Sequence, residues 1–146
     1  MAEQSLCVKD LMRSSVITIS SEAGLDRALL IMSRNRIRHL PVVEDEHKMI
    51  GIISDRDLRL SMKEMEQGPG TAPKGYYLPA LTKVKSIMMK DVVTTRPDVP
   101  LAEAVGMMSD RKIGALPVVE DGKLVGIVTE TDALRLLAKM LKEKGI

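Results

Sequence analysis

Aromatic side chains are nearly missing from this 146-residue chain, which has no Phe, no Trp and two Tyr. A core built without them must be aliphatic. The 45% hydrophobic content, eleven Met included, supplies one, with Met as the adaptable filler. No basic block occurs either: 22 Lys and Arg stand against 20 Asp and Glu, split 11 to 11 through residue 75 and 11 to 9 beyond it. Without basic runs or interleaved aromatics, composition gives a nucleic-acid role no support. Cys7 is the only cysteine, which excludes an internal disulfide and fits a reducing compartment. His39 and His47 are the only histidines, and no His-x-His or Cys-x-x-Cys spacing exists, so no transition-metal site is expected. No run approaches the roughly 18 apolar residues of a membrane span, and no signal peptide is visible. The expectation is a soluble cytoplasmic protein. No Ser-His-Asp or Cys-His grouping is legible and no Gly-x-x-x-x-Gly-Lys-Ser loop occurs, so an enzyme is not expected.

What the chain does have is a duplication. Val8-Lys9 returns as Val84-Lys85, Met12 as Met88, and Val16-x-Thr18 as Val92-x-Thr94. Leu25, Ala28 and Met32-Ser33 return as Leu101, Ala104 and Met108-Ser109. Leu40-Pro41-Val42-Val43-Glu44-Asp45 reappears letter for letter as Leu116-Pro117-Val118-Val119-Glu120-Asp121, all at an offset of 76. After a one-residue slip, Gly51-Ile52 and Asp57 match Gly126-Ile127 and Asp132 at an offset of 75. A unit of about 55 residues buries too little surface to be comfortable alone, whereas two packed together make a sound core. Its period exceeds that of a solenoid tile, so each copy should be a whole supersecondary assembly.

Each copy reads as strand, helix, strand, strand, helix, behind a short opening helix. In the first, Val8–Met12 opens, and Val16–Ile19 is a β-branched strand. Ser20-Ser21-Glu22 offers N-cap chemistry for a helix over Leu25–Arg36, whose Leu25, Ala28, Leu29 and Met32 share one face. Strands follow at His39–Val43 and Met49–Ser54, then a helix over Asp55–Met65. The second copy repeats this with an opening helix at Val84–Met89, a strand at Val92–Thr95 and a helix over Leu101–Lys112. A hairpin turns at Asp121-Gly122, and a last helix over Glu130–Lys144 carries a Leu134, Leu137, Ala138, Leu141 stripe. The organisation expected is a tail at 1–7, repeats at 8–66 and 84–146, and a Gly/Pro linker at 67–83, within which Tyr76-Tyr77 is expected to anchor the far end.

Ile37-Arg38-His39-Leu40-Pro41-Val42-Val43 with Gly51-Ile52-Ile53-Ser54-Asp55-Arg56-Asp57 resembles the signature of tandem CBS-domain proteins (Bateman modules). So does the second copy, Ile113-Gly114-Ala115-Leu116-Pro117-Val118-Val119 with Gly126-Ile127-Val128-Thr129-Glu130-Thr131-Asp132. Within the family the chain looks most like the stand-alone acetoin-utilization type. The resemblance implies an α+β fold in which two repeats pack as a pseudo-two-fold pair and leave clefts for adenosine-containing ligands. It also implies a regulatory rather than catalytic role, with AMP or ATP as ligand, a homodimer, and a separate regulated protein as partner. S-adenosylmethionine or NADH sensing, and a ligand-free structural adaptor, are the alternatives.

Under that resemblance Asp57 and Asp132 hold ribose, because an ionised carboxylate is an acceptor with two oxygens suited to adjacent hydroxyls. Ser54 and Thr129 approach ribose or phosphate at a helix N-terminus, where amides and dipole favour anions. Helix capping explains both pairs equally, although capping boxes favour the longer Glu or Gln at the later position. Arg38, His39 and Arg56 face phosphate, or are solvated loop residues; Gly114, Ala115 and Thr131 replace them in the second copy. One copy thus keeps phosphate chemistry that the other lacks. Thr18, Ile19 and Thr94 line an adenine slot or lie in the sheet. Ile37, Pro41, Ile113 and Pro117 complete the expected contact set.

Overall fold

The structure, a computed structural model, describes residues 5–64, 76–79 and 81–145. Residues 1–4 of the expected tail, 65–66 and 146 of the expected repeats, and 67–75 and 80 of the expected linker lie outside them. In chain order the elements are α1 (Val8–Leu11), β1 (Ile19–Ser20), α2 (Leu25–Asn35), β2 (His39–Val43), β3 (Met49–Ser54) and α3 (Asp55–Ser61). There follow β4 (Lys63–Glu64), β5 (Tyr76–Tyr77), α4 (Leu101–Arg111), β6 (Ala115–Glu120), β7 (Lys123–Thr129) and α5 (Glu130–Lys144). The fold is α+β, with two repeats of like element order.

Two compact units form. One joins Ile17–Asp45 to Met49–Val92; the other joins Met1–Val16, Glu46–Lys48 and Val93–Ile146. They cut across the repeat boundaries read from sequence. The first-repeat unit is closed by the opening segment of the second repeat, and the second-repeat unit by that of the first.

In the first-repeat unit, β1 runs parallel to β2 and β3 antiparallel to it. The core gathers Leu25, Ala28 and Met32 of α2 with Leu40, Val42, Ile53 and Leu58, and Val84 completes it with no exposure at all. The backbone around Val84 is tied down: its N–H donates to Ala23 O at 2.8 Å, and Lys85 N–H to Ser21 O at 3.0 Å. Met89 and Ile52 exchange both backbone bonds, at 2.9 and 3.0 Å. Gly51 makes this approach possible, since a Cβ there would stand 2.9 Å from Met89 O and 2.6 Å from Met88 Sδ.

The second-repeat unit is built the same way. Val8 is fully buried among Ala104, Met108, Leu116, Val118 and Val128. Arg13 and Ile127 exchange backbone bonds, both at 3.0 Å, over Gly126, where a Cβ would stand 3.1 Å from Arg13 O. Leu6 and Cys7, read as the end of a tail, are held too: Leu101 N–H donates to Leu6 O at 2.8 Å, and Cys7 bridges Pro100.

Several elements differ from the expected ones. The strand expected at Val16–Ile19 is only Ile19–Ser20, and that at Val92–Thr95 is a single bridge from Thr95 to Val118. β-branched residues favour extended backbone, but a ladder needs a partner, and only the ends of these runs lie beside one. The opening helix expected at Val84–Met89 is a 3-10 turn, Val84–Ser86. α2 is capped by Gly24 rather than by Ser20-Ser21-Glu22, because Ser20 Oγ instead accepts from Glu22 N–H at 3.2 Å in a local turn. α3 stops at Ser61, and Lys63–Glu64 pairs antiparallel with Tyr76–Tyr77. The Asp121-Gly122 hairpin forms as read, with φ of 53° and 78° at its two central residues.

Candidate functional site

Both sequence-predicted aspartates stand at a strand-to-helix junction. β3 runs directly into α3 and β7 into α5, so Ser54 and Thr129 become N-caps and Asp57 and Asp132 the third helical residues. Asp57 Oδ2 accepts from Ser54 N–H at 2.8 Å and Ser54 Oγ–H at 2.9 Å, while Asp57 N–H donates to Ser54 Oγ at 3.2 Å. Asp132 Oδ2 likewise accepts from Thr129 N–H at 3.2 Å and Oγ1–H at 2.9 Å, and Asp132 N–H donates back at 3.3 Å. Both are complete capping boxes. The shorter Asp side chain therefore does reach the N-cap amide, contrary to the expectation that only Glu or Gln is long enough.

Capping also reduces the room for an anion at these helix ends. Asp55 N–H donates to Arg38 O at 2.9 Å and Glu130 N–H to Gly114 O at 3.0 Å. With the third amide of each helix bonded to its cap, only the second, that of Arg56 or Thr131, has no hydrogen bond among the described residues. Acidic residues in both first turns further offset the dipole.

Around Asp57 the first-repeat unit gathers Ile37, Arg38, His39, Ser54 and Arg56. His39 pairs with Ser54 across the ladder, and Arg38 contributes its carbonyl to the start of α3. Arg38 and Arg56 are exposed; His39 and Ile37 are half-buried. Pro41 pairs with Ile52 and is fully buried, so its side chain presents no surface. Thr18 and Ile19 lie along the other edge of β2, where Ile19 pairs with Val42 and is itself buried.

The second-repeat unit gathers Gly114, Ala115, Thr129 and Asp132 in the equivalent places, with Ala115 opposite Thr129. Ala115 and Pro117 are buried, and Thr94 is exposed beside the Thr95 bridge. Ile113 faces elsewhere: with Val105, Met108, Lys112 and Leu134 it lines a cavity of about 440 Å³ between α4 and α5. Neither aspartate lines that cavity. Among the described residues no cluster of His, Cys, Asp and Glu could hold a metal ion.

One residue in contact with Asp132 was not among those expected. Arg13 Nε donates to Asp132 Oδ1 at 3.1 Å, and its second guanidinium nitrogen lies 3.1 Å from the same oxygen. Its clue was the repeat itself, since at the offset of 76 Arg13 faces Met89. A second missed group is Glu22, bonded to Lys83 Nζ at 2.5 Å and Lys85 Nζ at 2.8 Å, which hold its carboxyl down at about 2.

The CBS domain profile matches residues 8–64 and 84–139. A CBS domain-containing protein of Dictyostelium discoideum is 40% identical over 136 residues, covering 92% of this chain and 93% of that protein. The crystal structure of an acetoin utilization protein (AcuB) from Vibrio cholerae aligns at a TM-score of 0.80 and 30% identity, over 97% of both chains. The CBS domain pair of protein MJ0100, solved with 5′-methylthioadenosine and S-adenosyl-L-methionine, aligns at 0.76 and 29% identity, over 94% of this chain and 99% of that one. Matches also fall inside longer enzymes: the chain spans 24% of a homoserine O-acetyltransferase of Methanohalobium evestigatum, at 31% identity.

Proposed function

The chain belongs to the CBS-domain family, and from that premise we propose that it is a regulatory module that binds an adenosine nucleotide of the AMP or ATP type and acts as the sensor subunit of a partner protein. One observation carries the reading. Asp57 is fixed by its capping box through Oδ2 alone, and among the described residues nothing donates to its Oδ1. A carboxylate held rigidly by one oxygen presents the other as a preorganised acceptor for ribose hydroxyls. Ser54 stands beside it, and basic residues belong to the same junction: Arg38 and His39 at the start of β2 and Arg56 in the first turn of α3. The related MJ0100 pair, with its two adenosine compounds, supports the ligand class; the two arginines favour a phosphorylated member of it. A regulatory rather than catalytic role accords with the family, of which some members are joined to enzymes.

Titration calorimetry with AMP and ATP tests this. Asp57→Ala should cost about 2–4 kcal/mol of binding, at roughly 1.5–3 per charge-assisted bond, or about 30- to 1000-fold in affinity. The same change removes the N3 half of a cap whose loss costs about 0.5–2 kcal/mol of folding stability, so unfolding is measured alongside. Native affinity in a folded Asp57→Ala protein would refute the assignment. A ligand-free adaptor is the second reading, favoured because the capping boxes already account for both aspartates. Under it, no adenosine compound raises the melting temperature, whereas a true ligand at 100 times its Kd adds about 2.7 kcal/mol.

A further inference from the structure

The two aspartates are alike in sequence and in their capping boxes, yet they differ in what reaches the second oxygen. Asp132 Oδ1 is taken by Arg13 through two guanidinium nitrogens, both at 3.1 Å, and the Asp132 side chain is only 7% exposed. Together with the Thr129 contacts on Oδ2, both of its oxygens are engaged. Asp57 has no such contact among the described residues. The reason lies at one ladder position. Arg13 exchanges backbone bonds with Ile127 of β7, and Met89 makes the identical exchange with Ile52 of β3. A thioether cannot donate to a carboxylate, so the Asp57 side of the duplication lacks its cation.

We infer that Arg13 is the residue that makes the two halves unequal in ligand choice: its guanidinium occupies the Asp132 carboxylate and closes it to a ribose, while Met89 leaves Asp57 open. This rests on the adenosine-binding reading above and sharpens it. A ribose arriving at Asp132 must displace a charge-assisted pair before forming its own bonds, whereas at Asp57 it displaces only water. Arg13 itself is 56% exposed, so it can be replaced without emptying a core position. The chain is thereby a single-site module made from a two-site framework.

Two reciprocal substitutions test the inference, each checked for folding by thermal unfolding, with AMP titrated by calorimetry. The wild-type protein should bind one AMP per chain. Arg13→Met should open the second aspartate and bind two. Met89→Arg should install the missing cation opposite Asp57 and weaken AMP by about 10- to 150-fold, the range of one hydrogen bond to a charged group. Two equivalent sites in the wild type, or an unchanged single site in Arg13→Met, would overturn the role of Arg13 while leaving nucleotide binding standing. Binding by Arg13→Met but not by the wild type would also overturn it, since Asp57 would then not be the open site. No AMP or ATP binding by any of the three proteins would take down the adenosine reading and this inference together.

Discussion

Glycine shows how much one hydrogen atom decides in this molecule. Gly51 and Gly126 lie under the straps that cross their sheets, and a methyl group at Gly51 would meet a backbone carbonyl at 2.9 Å. Gly51→Ala should therefore cost about 1–3 kcal/mol through forced displacement of the strap. Gly126→Ala, whose nearest backbone atom stands at 3.1 Å, should cost less. Gly106, inside α4, is the control: nothing lies within 4 Å of its Cβ position, so Gly106→Ala should gain roughly 0.5–1 kcal/mol from helix propensity alone. Urea denaturation of the three proteins measures this order; equal losses at 51 and 106 would contradict it. The sequence displayed Gly51 and Gly126 as matched letters of the repeat. It could not say what they make room for, because the neighbours Met89 and Arg13 are far away along the chain.

Among the elements, the segment around Val84 that closes the first-repeat unit is held by a carboxylate clamp. Glu22, in the turn before α2, joins Lys83 and Lys85 on either side of Val84, and those hydrogen bonds lower its carboxyl from 4.5 to about 2. A carboxylate whose folded value is depressed contributes stability in full above its unfolded value. That contribution drains away as pH falls from about 4.5 toward about 2. Comparing wild type with Glu22→Gln across this window should show a difference that is largest above pH 4.5 and gone near pH 2. All three partners are half-exposed, so salt should shrink the difference as well. A gap between the proteins that ignores pH would show that the clamp is not electrostatic. The long helices, both hairpins and the Asp-Gly turn were legible because their signals are local: a 3.6-residue period, alternation, a residue tolerant of positive φ. The one-bridge strand at Thr95 and the 3-10 turn at Val84 were not, since partners distant in sequence determine whether extended or helical backbone is completed. The same blindness hid Arg13, whose carboxylate partner is 119 residues away.

For the molecule as a whole, the apolar stripe read on α5 proves to be an outward one. Leu134, Leu137, Met140 and Leu141 are 65%, 51%, 42% and 39% exposed, while the same helix buries Asp132. We propose that this uncovered aliphatic surface is covered by a second copy of the chain, since two-fold pairing is the commonest closed symmetry. Light scattering at micromolar concentration should give twice the 16.1 kDa chain mass, and Leu137→Glu should return the single-chain value. A wild-type monomer under those conditions would rule the pairing out. The exchange of straps has a different consequence, for the order of events on a translating ribosome. Helix α3 is complete at Ser61, yet the hydrophobic cluster it belongs to waits for Val84. At about 5–20 residues per second that interval lasts on the order of a few seconds. During it the nascent first half lacks the side chain that completes its own core.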